Sequence, residues 1–355
     1  MMRIAGMSTA TSLAALLASG CATSDYQYRE PTYGQEVRTG TVLRSLDLGS
    51  DLEHKLLTLD PERISDEDLT VLARSPAPRI ITLHGGVPLV YLTMESFSHF
   101  LIGMGYPAYR IRSPRDGSYS YYPYKSSAEI AGIIAWYYEK EGLAPIIVGH
   151  SAGGVQVVKV LHELAGTFGD KVAVWNPLTE EQENRYSILD PLTGVERPVV
   201  GLRIGYATAV AAGGFARLSP NHLGMLGHLR SIPDSVEHFT GASIGLDFLG
   251  GDFFGSASPT NRYAANGIAE VRNVRLPRSY HHVTVTKTAH LAQHRKLREW
   301  INAYRPTERP TLTVEFSTSA ENILWAADVW YSIKKQWCLE AQRLVRAKRQ
   351  LNAGQ

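Results

Sequence analysis

Ser151 stands in the run Gly149-His150-Ser151-Ala152-Gly153. A serine hydroxyl is a poor nucleophile, so it needs a sharp presenting turn and a base within reach. Ile146, Ile147 and Val148 precede it as a short apolar run that predicts a buried strand. Val155, Val158, Leu161 and Leu164 follow at helical spacing. Strand, G-x-S-x-G, helix is the nucleophile-elbow pattern. The glycines leave room for a strained turn and for close strand–helix packing. The helix N-terminus then lies under the hydroxyl, and the amide of Ala152 points where an oxyanion forms.

The base needs an orienting acid, and behind such an elbow the chain order is Ser, Asp, His. A histidine in the loop after the last strand and before a late helix is expected, and His290 has that placement. His281 and His282 lie inside a strand-like run, and His294 lies in the helix, which makes them weaker candidates. For the acid, Asp252 follows Gly250-Gly251, where the backbone can turn to present it; Asp247 is the alternative. His84-Gly85-Gly86 follows the apolar run Ile80-Ile81-Thr82-Leu83. Its glycines allow a backbone N–H, from Gly86 or Val87, to approach a substrate oxygen closely.

Several elements must position these groups. Ile80–Leu83, Ala108–Ile111 and Val172–Trp175 read as strands beside the one before Ser151. Phe97, Phe100, Leu101 and Met104 mark a helix, and residues 128–140 mark another. This alternation predicts an α/β protein with a parallel sheet. The tyrosine-rich run SPRDGSYSYYPY, residues 113–124, reads either as a substrate mouth or as a surface loop. Residues 178 to about 240 lose the rhythm and are expected to form an inserted cap over the sheet's carboxyl edge. Ala242–Leu246, Val271–Leu276 and His282–Thr286 read as later β-rich runs. The domain is expected over 41–310. Residues 311–355 follow as an edge strand and one long amphipathic helix, from Glu321 to Leu351, expected to pack on the domain with a solvated basic end or else to bring that basic end to anionic lipid headgroups.

Composition excludes some classes. The chain has 355 residues, 44% hydrophobic and 20% charged, as in ordinary globular proteins. A net charge of +2 argues against nucleic acid as a partner. Two cysteines, Cys21 and Cys338, make no disulfide framework. No metal cluster, phosphate loop or dinucleotide fingerprint stands out, so no cofactor or metal is expected.

Arg3, the apolar run Leu13–Ala18 and the small residues before Cys21 read as a signal peptide over 1–20. The run is too short to span a membrane, which takes about 20 apolar residues. LLASGC resembles the lipobox of bacterial lipoproteins. That resemblance implies cleavage before Cys21, a lipid on its thiol, membrane attachment through that lipid and a polar tether over 21–40. With Ala22 after the cysteine, it implies an outer-membrane protein facing the periplasm.

Taken together, LHGG, GHSAGG and TAHL resemble the α/β-hydrolase superfamily over roughly residues 78–305. The resemblance implies a mostly parallel sheet of about eight strands with helices on both faces. It also implies an ester or lipid substrate, attacked by Ser151 with His290 as base, and an oxyanion held by Ala152 and the Gly86 region. Acyl transfer to an alcohol, and a non-catalytic envelope scaffold, are the competing functions. The oligomeric state is left open by the sequence.

Overall fold

The computed structural model describes residues 42–43, 46–213, 224–225, 227–245, 247–250 and 262–354. Five strands form the central sheet: β1 Ile80–Leu83, β2 Ile146–His150, β3 Ile204–Val210, β4 Val236–Ile244 and β5 Glu270–Leu276. Spatial order follows chain order, and every neighbouring pair is parallel. The helices are α1 Ser50–Thr58, α2 Asp66–Leu72, α3 Pro88–Gly103, α4 Ser127–Glu141, α5 Ala152–Leu164, α6 Arg295–Ala303 and α7 Ile323–Ala353.

Parallel strands need crossovers, and the crossovers cover both faces with helices. The consequence is legible in β1, β2 and β3, every residue of which is buried. On one face Ile80, Ile146, Val148 and Ile244 meet Phe97 and Phe100 of α3, Leu297 of α6 and Trp325, Trp330 and Trp337 of α7. On the other, Ile81, Leu83, Ile147 and Phe239 meet Ile130 and Ile134 of α4 and Val155, Val158 and Leu161 of α5.

The sheet departs from the sequence expectation in identifiable ways. Five strands, not about eight, make up the central sheet among the described residues. Ala108–Arg110 is a 3-10 turn rather than a strand. Its Arg110 is fully buried against Glu141, an ion pair that a two-residue period cannot anticipate. The outer edge of β1 is met instead by Tyr121, whose N–H donates to the Thr82 carbonyl at 2.8 Å. Residues 172–174 form no strand, and Trp175–Asn176 pairs antiparallel with Glu181–Gln182.

The cap expected over 178–240 is not one inserted unit. Its span contains the whole of β3 and the start of β4, both central. Ala207-Thr208-Ala209, which lack the usual bulky strand residues, are small because β3 is buried on both faces. The irregular part, residues 175–198, hangs on α4. Arg185 pairs bidentately with Glu139 at 2.6 and 2.7 Å, and Tyr138 donates to Asp190 at 3.0 Å.

The tail helix packs on the domain, as expected, but its edge strand is missing and its basic end is paired. No strand forms at 311–316. The 31-residue α7 is a structural element of the first core, with Trp330 and Trp337 essentially unexposed. Arg272 of β5 grips Asp328 of α7 through two bonds of 2.6 and 2.8 Å. At its basic end, Lys348 and Arg349 both pair with Glu53 of α1, at 2.8 and 3.3 Å. Cys338 is buried in the same core.

Candidate active site

The carboxyl end of β2 runs into Ser151, whose N–H still bonds the Val210 carbonyl at the end of β3. Ser151 has φ 55° and ψ −119°, a region non-glycine residues rarely occupy. Holding it there costs roughly 1–3 kcal/mol, which the packing around the turn must supply. Gly153 is where that packing is tightest. A Cβ there would lie 2.6 Å from the His84 carbonyl oxygen and would overlap that of Leu83. Gly153→Ala is therefore expected to destabilise the fold by about 1–3 kcal/mol. It should also slow labelling of Ser151; denaturant unfolding beside probe labelling reads both effects.

Two loops deliver the partners. Asp247 lies just beyond β4, 6% exposed, with one carboxylate oxygen accepting from the Gly250 N–H at 2.7 Å. His282 lies in the turn after β5. Its Nδ1 is 2.8 and 2.9 Å from the two carboxylate oxygens of Asp247, and its Nε2 is 2.8 Å from Ser151 Oγ. An ionised carboxylate only accepts, so the proton sits on Nδ1 and Nε2 is free to accept from the serine. The arrangement can take a proton from Ser151 Oγ and hold the resulting imidazolium beside a carboxylate.

The acid expected at Asp252 lies outside the described residues. Its stated alternative, Asp247, holds the histidine. The base is a correction. The imidazole on Ser151 belongs to His282, not to His290. His290 lies in the 3-10 turn Ala289–Gln293, its buried Nε2 making no hydrogen bond. Burial and the nearby Lys287 and His294 pull its pKa down, against the pull of Glu321. The run Val283-Thr284-Val285-Thr286 suggested a strand because its residues are β-branched. It turns instead, with the Val285 N–H donating to the His281 carbonyl at 3.0 Å. Thr286 is anchored by a 2.8 Å bond to Thr93 of α3. One sequence signal did point to His282: the last strand ends at Leu276, just before Pro277, so the loop after it begins there.

The oxyanion candidates converge on the same place. Ala152 is the first residue of α5, where backbone N–H groups have no intrahelical partner. Gly85, ahead of Gly86 and Val87, approaches the serine so closely that a Cβ on it would sit 3.3 Å from Ser151 Cβ. The tyrosine-rich loop folds onto this turn. The Tyr124 hydroxyl occupies the space a Gly86 side chain would need, and Tyr122 lies edge-on to His84. His84 donates from Nδ1 to the Gly85 carbonyl across 2.7 Å, and its burial lowers its pKa. Cys21 lies outside the described residues.

No family model matches the sequence, and no curated protein matches it. Among solved structures, the hyperthermophilic esterase from the archaeon Pyrobaculum calidifontis is 14% identical, with a TM-score of 0.34. It covers 73% of this chain and 97% of its own. The monoclinic form of the Pyrobaculum calidifontis esterase is 13% identical, with a TM-score of 0.34 over 72% of this chain and 97% of its own. The likeness is weak, and neither architecture nor activity is carried over from it.

A cavity of about 350 Å³ lies at the other end of the sheet, between the starting halves of β3, β4 and β5 and helix α7. It touches none of Ser151, His282 and Asp247, and its lysine and arginine are already paired, Lys335 with Glu62 and Arg272 with Asp328. The chemistry belongs at the carboxyl end, where open parallel sheets place their sites. No group of three or more His, Cys, Asp or Glu side chains suited to a metal ion occurs among the described residues.

Proposed function

We propose that this protein is a serine hydrolase that cleaves carboxylic esters through an acyl-enzyme at Ser151, in an α/β-hydrolase fold. The observation carrying this reading is the relay from Ser151 Oγ through His282 to Asp247, each link 2.8 Å, at a serine held in a strained turn. His282 takes the hydroxyl proton as Ser151 attacks the ester carbonyl. The alcohol leaves with that proton. His282 then draws a proton from water, which releases the acid and frees the serine. The amide of Ala152 and an amide of the Gly86–Val87 turn receive the oxyanion.

The rim favours an apolar acyl group. Val87 and Leu89 beside the glycine turn, Phe248 and Leu249 after Asp247, and Val283 after His282 are all large exposed apolar side chains. Exposed apolar residues gathered around one site mark a place for apolar ligands. We place the protein in the bacterial envelope, anchored by lipid on Cys21, on the strength of the LLASGC sequence.

The test uses the chain from Ala22 onward, a fluorophosphonate probe and a p-nitrophenyl ester series of increasing acyl length. Labelling should map to Ser151, and hydrolysis should rise with acyl length before falling. Absence of labelling in the folded protein, with Ser151→Ala as active as the parent, would end this reading.

A further inference from the structure

His150 immediately precedes the serine, yet its side chain bonds neither Ser151 Oγ nor Asp247. It is fully buried at the end of β2. Its Nε2 lies 2.7 Å from the backbone carbonyl oxygen of His282, and the two imidazole rings are 5.2 Å apart. A carbonyl only accepts, so Nε2 carries a proton. Nδ1 is then a bare lone pair. It makes no hydrogen bond, and it faces Gly85, where a Cβ would come within 3.3 Å of it. The ring is thus wedged between the glycine turn and the backbone of the catalytic loop.

The other ties of this loop fall on the residues around His282: the Tyr280 hydroxyl accepts from the Leu324 N–H, the Thr284 carbonyl accepts from Asn322, and Thr286 bonds Thr93, whereas His150 reaches the His282 backbone itself. That residue lies in a turn rather than a strand, and its side chain must bond Asp247 and Ser151 at once. A two-sided relay of this kind tolerates little displacement: about 1 Å of misplacement can cost on the order of 10²-fold in rate. β2 is an interior strand of the sheet with every residue buried, and it carries the serine as well. A bond from β2 to the His282 backbone therefore fixes base and nucleophile to one frame.

We propose that His150 is a positioning residue, a neutral imidazole whose Nε2–H clamps the His282 carbonyl and sets the base at hydrogen-bonding distance from Ser151. The proposal rests on the hydrolase reading for its kinetic consequence, but not for its structural one. The clamp is kept neutral by its surroundings. Burial is the main cause, with the neighbouring His282 and His84 adding to it, and together they push the His150 pKa down to about 3 despite the bond to the His282 carbonyl and the Asp247 charge.

Three variants and one measurement on the unaltered chain test this. Long-range nitrogen–proton NMR of the unaltered protein should find His150 as the Nε2–H tautomer, with that proton slow to exchange. An Nδ1–H tautomer or a rapidly exchanging proton would overturn the proposal, whatever the activity. His150→Gln keeps a donor near the Nε2 position, His150→Asn places its amide where Nδ1 sits, and His150→Leu removes both. Expected is a loss on the order of 10²-fold in kcat and in fluorophosphonate labelling for the Leu and Asn variants, with KM little changed and Gln within about tenfold of the parent. The low-field proton signal of the His282–Asp247 bond should shift or broaden in Leu and Asn and persist in Gln. Equal labelling and an unchanged low-field signal in all three would overturn the clamp. Should the parent itself not turn over esters, the tautomer and the low-field signal still decide the clamp, and the failure falls on the hydrolase reading.

Discussion

Ser151→Ala and His282→Ala are each expected to lower ester turnover by about 10⁴- to 10⁶-fold, with binding of substrate little altered. The two should not add when combined, because neither group works without the other: the serine needs a proton acceptor, and the imidazole has nothing else to activate in the first step. Asp247→Asn should cost about 10⁴-fold. An amide can present its N–H to His282 Nδ1, which moves the imidazole proton to Nε2 and turns it towards the serine, where it cannot accept. His290→Ala is the discriminating control. His290 lies on a different turn, near Glu321, with no bond to Ser151, so turnover should stay close to that of the parent. Stopped-flow or steady-state assay of the four variants on one soluble ester settles the assignment. A loss for His290→Ala matching that of His282→Ala would reverse it.

The second large effect concerns stability. Trp330→Ala should lower the unfolding free energy by about 3–5 kcal/mol, the usual cost of removing a large buried aromatic side chain. Trp330 is 0% exposed, and its indole N–H donates to Asn302 at 2.7 Å, so truncation leaves a cavity and takes a donor from the half-buried Asn302. Removing residues 311–355 altogether should leave no folded domain. It would uncover the sheet face lined by Ile146, Val148 and Ile244 and strand Arg272 without Asp328. Urea unfolding monitored by circular dichroism reads the point variant; a truncated chain that stays monomeric and melts cooperatively would contradict the second half of the expectation.

Much of the central machinery was legible because it is local. Glycines at 149 and 153, an apolar run before them and a helical stripe after them specify a turn by short-range sterics alone. β1, β2, α5 and the long α7 follow from the same kind of pattern, and the structure places them where periodicity does. Ala152 and the His84-Gly85-Gly86 turn were found for that reason: each is defined by its immediate neighbours.

What escaped the sequence involves partners far along the chain. The β-branched run after His282 favours a strand by propensity, yet bonds to His281 and Thr93 bend it into a turn. Small residues in β3 look like a loop until both faces of the sheet are covered. Arg110 reads as part of a strand until Glu141 is brought against it. The sequence by itself pointed to a serine presented at a bend between strand and helix, with an acid and then a histidine expected to follow. Only the tertiary structure decided which ones, because Asp247 and His282 come from the ends of neighbouring strands whose order in the sheet, not their local sequence, carries them to Ser151. It likewise decided which sheet face α7 covers, since an apolar stripe records that something covers it but not what.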